Sequence, residues 1–257
     1  MAKFTTDAFI DITARSIIWA FVGLVFGGVF VPTHVLLQQW FHPLTSLIFA
    51  STLAGTLGSL VYSSLGLSVM ASLVGCFGTI AYLILLADKM PLVPMLPVIA
   101  GVGGLVGMIY GFKVEHSRVH QAAAKGLAGF CAGVIASGGV VLAQIIYPPL
   151  PSYLAIGAIC LLTGLIYAMV VNQFARRFQN LLPAPLAGAI VGISVAVFIS
   201  CMVWVTSSEF NPSSTSAMRQ MAITIIQLVP YAFFGAMLGG IIIGTIRTLY
   251  DVDWLDI

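Results

Sequence analysis

Charge is what this sequence has least of. Ten Lys and Arg and eight Asp and Glu make only 7% of its 257 residues formally charged, against about 25% in soluble domains. With 60% of residues hydrophobic and a mean hydropathy of +1.09, too little polar side chain remains to cover a water-facing surface. No run of Lys or Arg is long enough to track a polyphosphate, which excludes nucleic acid as a partner. Cysteine is also sparse: Cys76, Cys131, Cys160 and Cys201 all fall in apolar segments and never form a CxxC pair. Zinc and disulfide frameworks therefore have no support, no metal site is expected, and the four thiols read as small buried hydrophobes. Nucleophile elbow, HExxH helix, Walker loop and dinucleotide fingerprint are all missing, which argues against an enzyme.

What is present is long apolar runs. Each helical crossing needs about 20 residues for about 30 Å of hydrocarbon. Candidate spans run over 14–37, 44–62, 67–86, 92–112, 122–146, 153–171, 185–206 and 221–248. They are separated by His42-Pro43, Ser63 to Gly66, Asp88 to Pro91, Tyr147-Pro148-Pro149, Pro183 with Pro185, and a polar stretch from Ser207 to Ser216. The fold class is an all-α integral membrane protein of eight transmembrane helices, a single polytopic membrane domain over 1–257. The weakest break is Ser63 to Gly66, and without it the count drops to seven. The opening segment mixes acids with bases and lacks a small-residue cleavage site, so the first span is expected to stay as an anchor.

Eight crossings with both termini in the cytoplasm gather Lys3, Arg15, Lys113, Arg118, Lys125, Arg176, Arg177 and Arg247 on one side and leave Lys89 and Arg219 on the other. Basic residues near span ends set orientation toward the cytoplasm, which predicts a multi-pass protein of the plasma (inner) membrane. Trp19, Trp40, Trp204 and Trp254 fall near predicted span ends, where amphipathic rings favour the headgroup zone.

A shift of about 106 positions pairs Gly23 with Gly129, Gly27 with Gly133, Pro43 with Pro149 and Gly58 with Gly164. A shift of about 133 pairs Pro97 with Pro230, Gly107 with Gly240 and Gly111 with Gly244. These matches suggest a 4+4 parallel internal repeat with halves 14–112 and 122–248, which would place a substrate path between the halves.

Small residues recur at helical spacing: Gly23, Gly27 and Gly28; Gly55 with Ser59; Gly103, Gly104, Gly107 and Gly111; Gly129 and Gly133; Gly235, Gly239, Gly240 and Gly244. Such stripes let backbones approach closely, and they serve either as helix-packing faces or as the wall of a narrow path. No carboxylate or basic relay lies at mid-span; Asp88, Lys125, Glu209 and Arg247 sit where a charge stays wet or snorkels. Most span Ser and Thr can bond back to their own helix. The primary amides of Gln144 and Gln227 cannot satisfy themselves that way, so they are the candidates for a polar path. His34 and His42, near the non-cytoplasmic interface, are candidate contacts for a ligand or pigment, with an interfacial hydrogen-bonded imidazole as the plainer reading. His116 and His120, beside Glu115, read as a solvated basic loop.

Two functions follow from this pattern. The first is a channel-like or facilitative permease for a small neutral or weakly charged solute. The second is a non-catalytic membrane subunit of a larger respiratory, photosynthetic or secretion complex, docking helices, lipids or pigments through its glycine faces. The lipid bilayer is the certain partner by composition, with a homo-oligomer or partner membrane subunits expected; no cofactor is indicated by any motif.

Overall fold

The computed structural model describes residues 6–87, 92–113, 118–147, 150–178, 181–207 and 215–250, and among them there is no strand. Eight α-helices follow one another: α1 (Thr6–Leu37), α2 (Pro43–Ser63), α3 (Leu65–Leu85), α4 (Leu96–Lys113), α5 (Ala122–Ile146), α6 (Ser152–Arg177), α7 (Ala184–Ser207) and α8 (Ser216–Tyr250). Short 3-10 turns at Val93–Met95 and Arg118–Gln121 precede α4 and α5. Eight segments, one on each helix, are long and apolar enough to cross a membrane. Asp88, Lys89, Glu115, His116, Glu209 and Trp254 lie outside the described residues, as do the side chains of Arg118 and His120.

Proline marks several helix starts, where its missing N–H has no intrahelical partner anyway: Pro43 opens α2, and Pro97 and Pro185 fall in the first turns of α4 and α7. The break between α2 and α3 consists of one residue. Ser64 leaves the helical region with φ −147° and ψ 78°, and Ser68 Oγ donates to the Val61 carbonyl at 3.1 Å, meeting an acceptor that the end of α2 leaves open. Run on without it, Pro43–Leu85 would measure about 65 Å, twice the hydrocarbon thickness of about 30 Å.

Three expectations are corrected. The first helix begins at Thr6, not Ala14, because Asp11 and Arg15 pair at i and i+4 (Arg15 Nε to Asp11 Oδ2, 2.9 Å) and continue it into polar sequence. Trp19 is therefore not at a span end; it lies inside α1, 6% exposed, with its ring against Gly164 of α6. Lys125 is not wet but only 8% exposed in the first turn of α5.

The chain divides into two compact units. The first comprises residues 1–59, 126–177 and 225–257, that is α1, most of α2 and α5, α6 and most of α8. The second comprises 60–125 and 178–224, which carry α3, α4 and α7. In the second unit α7 is the central helix, packed on both α3 and α4. In the first, α1 runs antiparallel to α8, α2 antiparallel to α5, and α6 parallel to α8, as the glycine contacts below show.

The residues matched by the two sequence shifts do not meet matching neighbours. Gly23 and Gly27 face α8, while Gly129 and Gly133 face α2; Gly107 faces α7, while Gly240 faces α1.

Candidate functional site

Most candidate glycines are pressed against a neighbouring helix. In the second unit, Gly107 and Gly188 meet backbone to backbone, as do Gly103 and Gly192, and Gly111 meets the Ala184 carbonyl. No side chain fits between α4 and α7 at these points. In the first unit, a Cβ on Gly23 would strike Ala236 Cβ at 2.6 Å, and one on Gly27 would strike Ala232 Cβ at 2.7 Å. Gly129 meets the Gly55 carbonyl and Ser59, and Gly133 lies against Ser51 and Thr52. Gly240 packs on Ser16 and Trp19, whereas Gly239 makes only ordinary contact with Leu161 at 3.6 Å. Close approach of this kind gains dispersion contacts that lipid tails cannot replace, and it leaves these stripes closed as conduits in this conformation.

Among the described residues, the first unit buries the hydroxyl side chains of Ser16, Ser46, Ser51, Thr52, Ser59, Ser137, Thr163 and Tyr167. The indole of the buried Trp19 is a further polar group there. Most of the hydroxyls bond back along their own helix, as Thr52 does to the Ile48 carbonyl at 2.6 Å and Ser137 to the Gly133 carbonyl at 2.6 Å. Ser51 differs, because its Oγ crosses to the same Gly133 carbonyl at 3.0 Å and ties α2 to α5. Thr163, whose methyl lies 3.4 Å from where a Gly55 Cβ would stand, has a buried Oγ1 with no hydrogen-bond partner among the described residues.

His34 is tied at both ring nitrogens, and its neutral tautomer follows from counting donors. Ser46 Oγ gives its one proton to the Pro43 carbonyl at 2.8 Å, so it accepts from His34 Nδ1–H at 2.8 Å. The remaining nitrogen, Nε2, then accepts from the Gln38 amide at 2.8 Å. Phe26, Phe30 and His34 stack in sequence along α1, each pair 5.7 Å apart between centroids. His42 is exposed beyond α1, where its Nδ1 accepts from the Leu44 amide at 3.3 Å. His34 thus spends Nδ1 on Ser46 and Nε2 on Gln38, so both its ring nitrogens are already engaged. No cluster of three metal-ligating side chains exists among the described residues.

Gln144 is half-buried on α5 and Gln227 exposed on α8, and neither side chain hydrogen-bonds within the described residues. No family model, curated protein or solved structure matches the chain.

One feature escapes a reading of the sequence alone. A cavity of about 780 Å³ lies between α3 and α4, walled by Met70, Phe77, Tyr82, Leu85, Val98 and Val102 among others; alternating apolar residues on two separate helices give no signal that they leave a groove. Pro32 and Pro230 lie inside α1 and α8, as the expected spans 14–37 and 221–248 place them, although a proline in a helical pattern ordinarily argues for a boundary.

Proposed function

We propose that this chain is a facilitative permease for a small neutral or weakly charged solute, inserted eight times in the plasma (inner) membrane with both termini cytoplasmic. The observation that carries this reading is the chemistry of the first unit's interior, where, among the described residues, the buried polar side chains are hydroxyls apart from the Trp19 indole and none bears a charge. A carrier driven by protons or ions retains costly ionisable groups at membrane depth; a hydroxyl-lined interior suits a solute that exchanges hydrogen bonds without a charge partner. The excess of Lys and Arg on one set of connections supports the orientation.

The test is solute flux into sealed vesicles holding the purified full-length chain, followed by light scattering after osmotic shock. Flux above that of protein-free vesicles for a neutral polar solute supports the permease, and flux equal to theirs for every solute in a panel of amides, polyols and weak acids overturns it.

The second reading, a non-catalytic subunit of a larger membrane complex, is favoured by one observation, the apolar groove between α3 and α4. Gentle detergent extraction from the native membrane separates the two. A stoichiometric partner in every preparation supports the subunit, and a self-contained particle supports the permease.

A further inference from the structure

The two internal prolines lie on helices that pack together. Along the α1–α8 pair, Ile12 lies against Gly244, Ser16 against Gly240, Gly23 against Ala236, and Gly27 against Ala232 and Val229. Continuing that antiparallel register by one residue sets Gly28 level with Val229 and Pro230; continuing it to Pro32 reaches Ile225 and Ile226.

Proline has no N–H, so each one leaves the carbonyl four residues earlier without its helical donor. Pro32 frees Gly28 and Pro230 frees Ile226. Each freed carbonyl thus lies level with the other helix's proline, and the two acceptors share one short stretch of the pair. No side chain among the described residues donates to either. Ile226, Gln227 and Pro230 are exposed, so the α8 end of this stretch is open while Gly28 is buried. Gln227 brings an amide with no partner among the described residues, and the rings of Tyr153 and Tyr231 stand 5.2 Å apart next to Pro230.

A carbonyl without a donor is costly away from water; backbone acceptors of this kind, at breaks in membrane helices, coordinate coupling cations in carriers, and the same lone pairs accept from any neutral solute that carries an N–H or O–H. We infer that the Gly28 and Ile226 carbonyls, freed by Pro32 and Pro230, form with the Gln227 amide a binding site for small neutral solutes that donate hydrogen bonds, water being the smallest. Its part in transport rests on the permease reading; its existence as a hydrated acceptor site does not.

The experiment uses the full-length chain in vesicles, with Cys76, Cys131, Cys160 and Cys201 replaced by Ala and a charged thiol reagent added in water. Thiols react as thiolates, so the rate reports water at the side chain. Gln227→Cys is expected to react readily, and Leu238→Cys, exposed farther along α8, to stay unmodified. Adding Pro230→Ala returns a donor to the Ile226 carbonyl and is expected to slow Gln227→Cys about tenfold. Equal rates with and without Pro230 overturn the site. In a second arm, urea, which donates hydrogen bonds, is compared with tetramethylurea, which does not. Pro32→Ala with Pro230→Ala is expected to lower urea flux about tenfold and leave tetramethylurea unchanged. If the unmodified protein carries urea and the double variant carries it equally well, the site falls and the permease stands. If neither these two nor any other solute of the panel of amides, polyols and weak acids crosses faster than through lipid alone while the thiol rates behave as expected, the permease falls and the site stands.

Discussion

At the residue scale, the hydroxyls divide by what they bond, and that division predicts opposite responses to substitution. Thr163 Oγ1 is buried with no hydrogen-bond partner among the described residues, and an unsatisfied buried polar group costs about 1–3 kcal/mol. Thr163→Val keeps the shape and deletes the orphan, so it is expected to raise the thermal midpoint of the full-length chain in detergent; a lower midpoint would mean that the hydroxyl is held by something. Ser46 is the contrary case. It accepts from His34 Nδ1 and donates to Pro43, so Ser46→Ala strands an imidazole N–H between α1 and α2 and is expected to cost about 1 kcal/mol. Gln38→Ala, at the exposed end of the same chain of bonds, is expected to change the midpoint little. A Ser46→Ala melt indistinguishable from that of Gln38→Ala would show that the His34 bond contributes nothing to holding the two helices.

At the scale of elements, the glycines carry the argument. Gly188 meets Gly107 backbone to backbone, whereas Gly101, on the same α4, has nothing within 4 Å of where a Cβ would stand. Gly188→Ala is therefore expected to force α4 and α7 apart at a cost of about 1–3 kcal/mol. Gly101→Ala is expected to stabilise by up to about 1 kcal/mol, because alanine favours the helix without meeting a neighbour. Thermal melts of both variants decide the matter, and equal midpoints would contradict the packing described for α4. Helix existence and limits were legible in the sequence wherever hydropathy and breakers agree, as for α5, whose bounds coincide with the expected Ala122–Ile146. They were misread where polar residues continue a helix. The run from Asn172 to Arg177 extends α6 six residues past the expected Val171, with Arg176 and Arg177 in its last turn, where cations favour the helix dipole. Pro32 and Pro230 were legible as residues but not as a pair, since only the α1–α8 register sets each of them level with the carbonyl that the other frees. Each glycine stripe was legible as a packing face, but its partner was not, because the contacts join residues as far apart as Gly23 and Ala236.

At the scale of the whole molecule, the scarcity of charge sets both the architecture and the proposed chemistry. Eight helices are long and apolar enough to cross a membrane, and the cations cluster on alternate connections. The division into two units was not legible, because each draws helices from both halves of the chain, and hydropathy carries no information about which spans associate. The repeat suggested by the matched glycines finds no echo in their contacts, since glycine spacing reports a need for close approach and not the identity of the neighbour. The central claim is that the chain crosses the bilayer eight times, with Lys89 and Lys113 on opposite sides. An amine reagent that cannot cross lipid, applied to sealed right-side-out and inside-out vesicles and read by peptide mass spectrometry, tests it most directly. Modification of Lys89 only from outside and of Lys113 only from inside is the predicted result, and modification of both from the same side would contradict it.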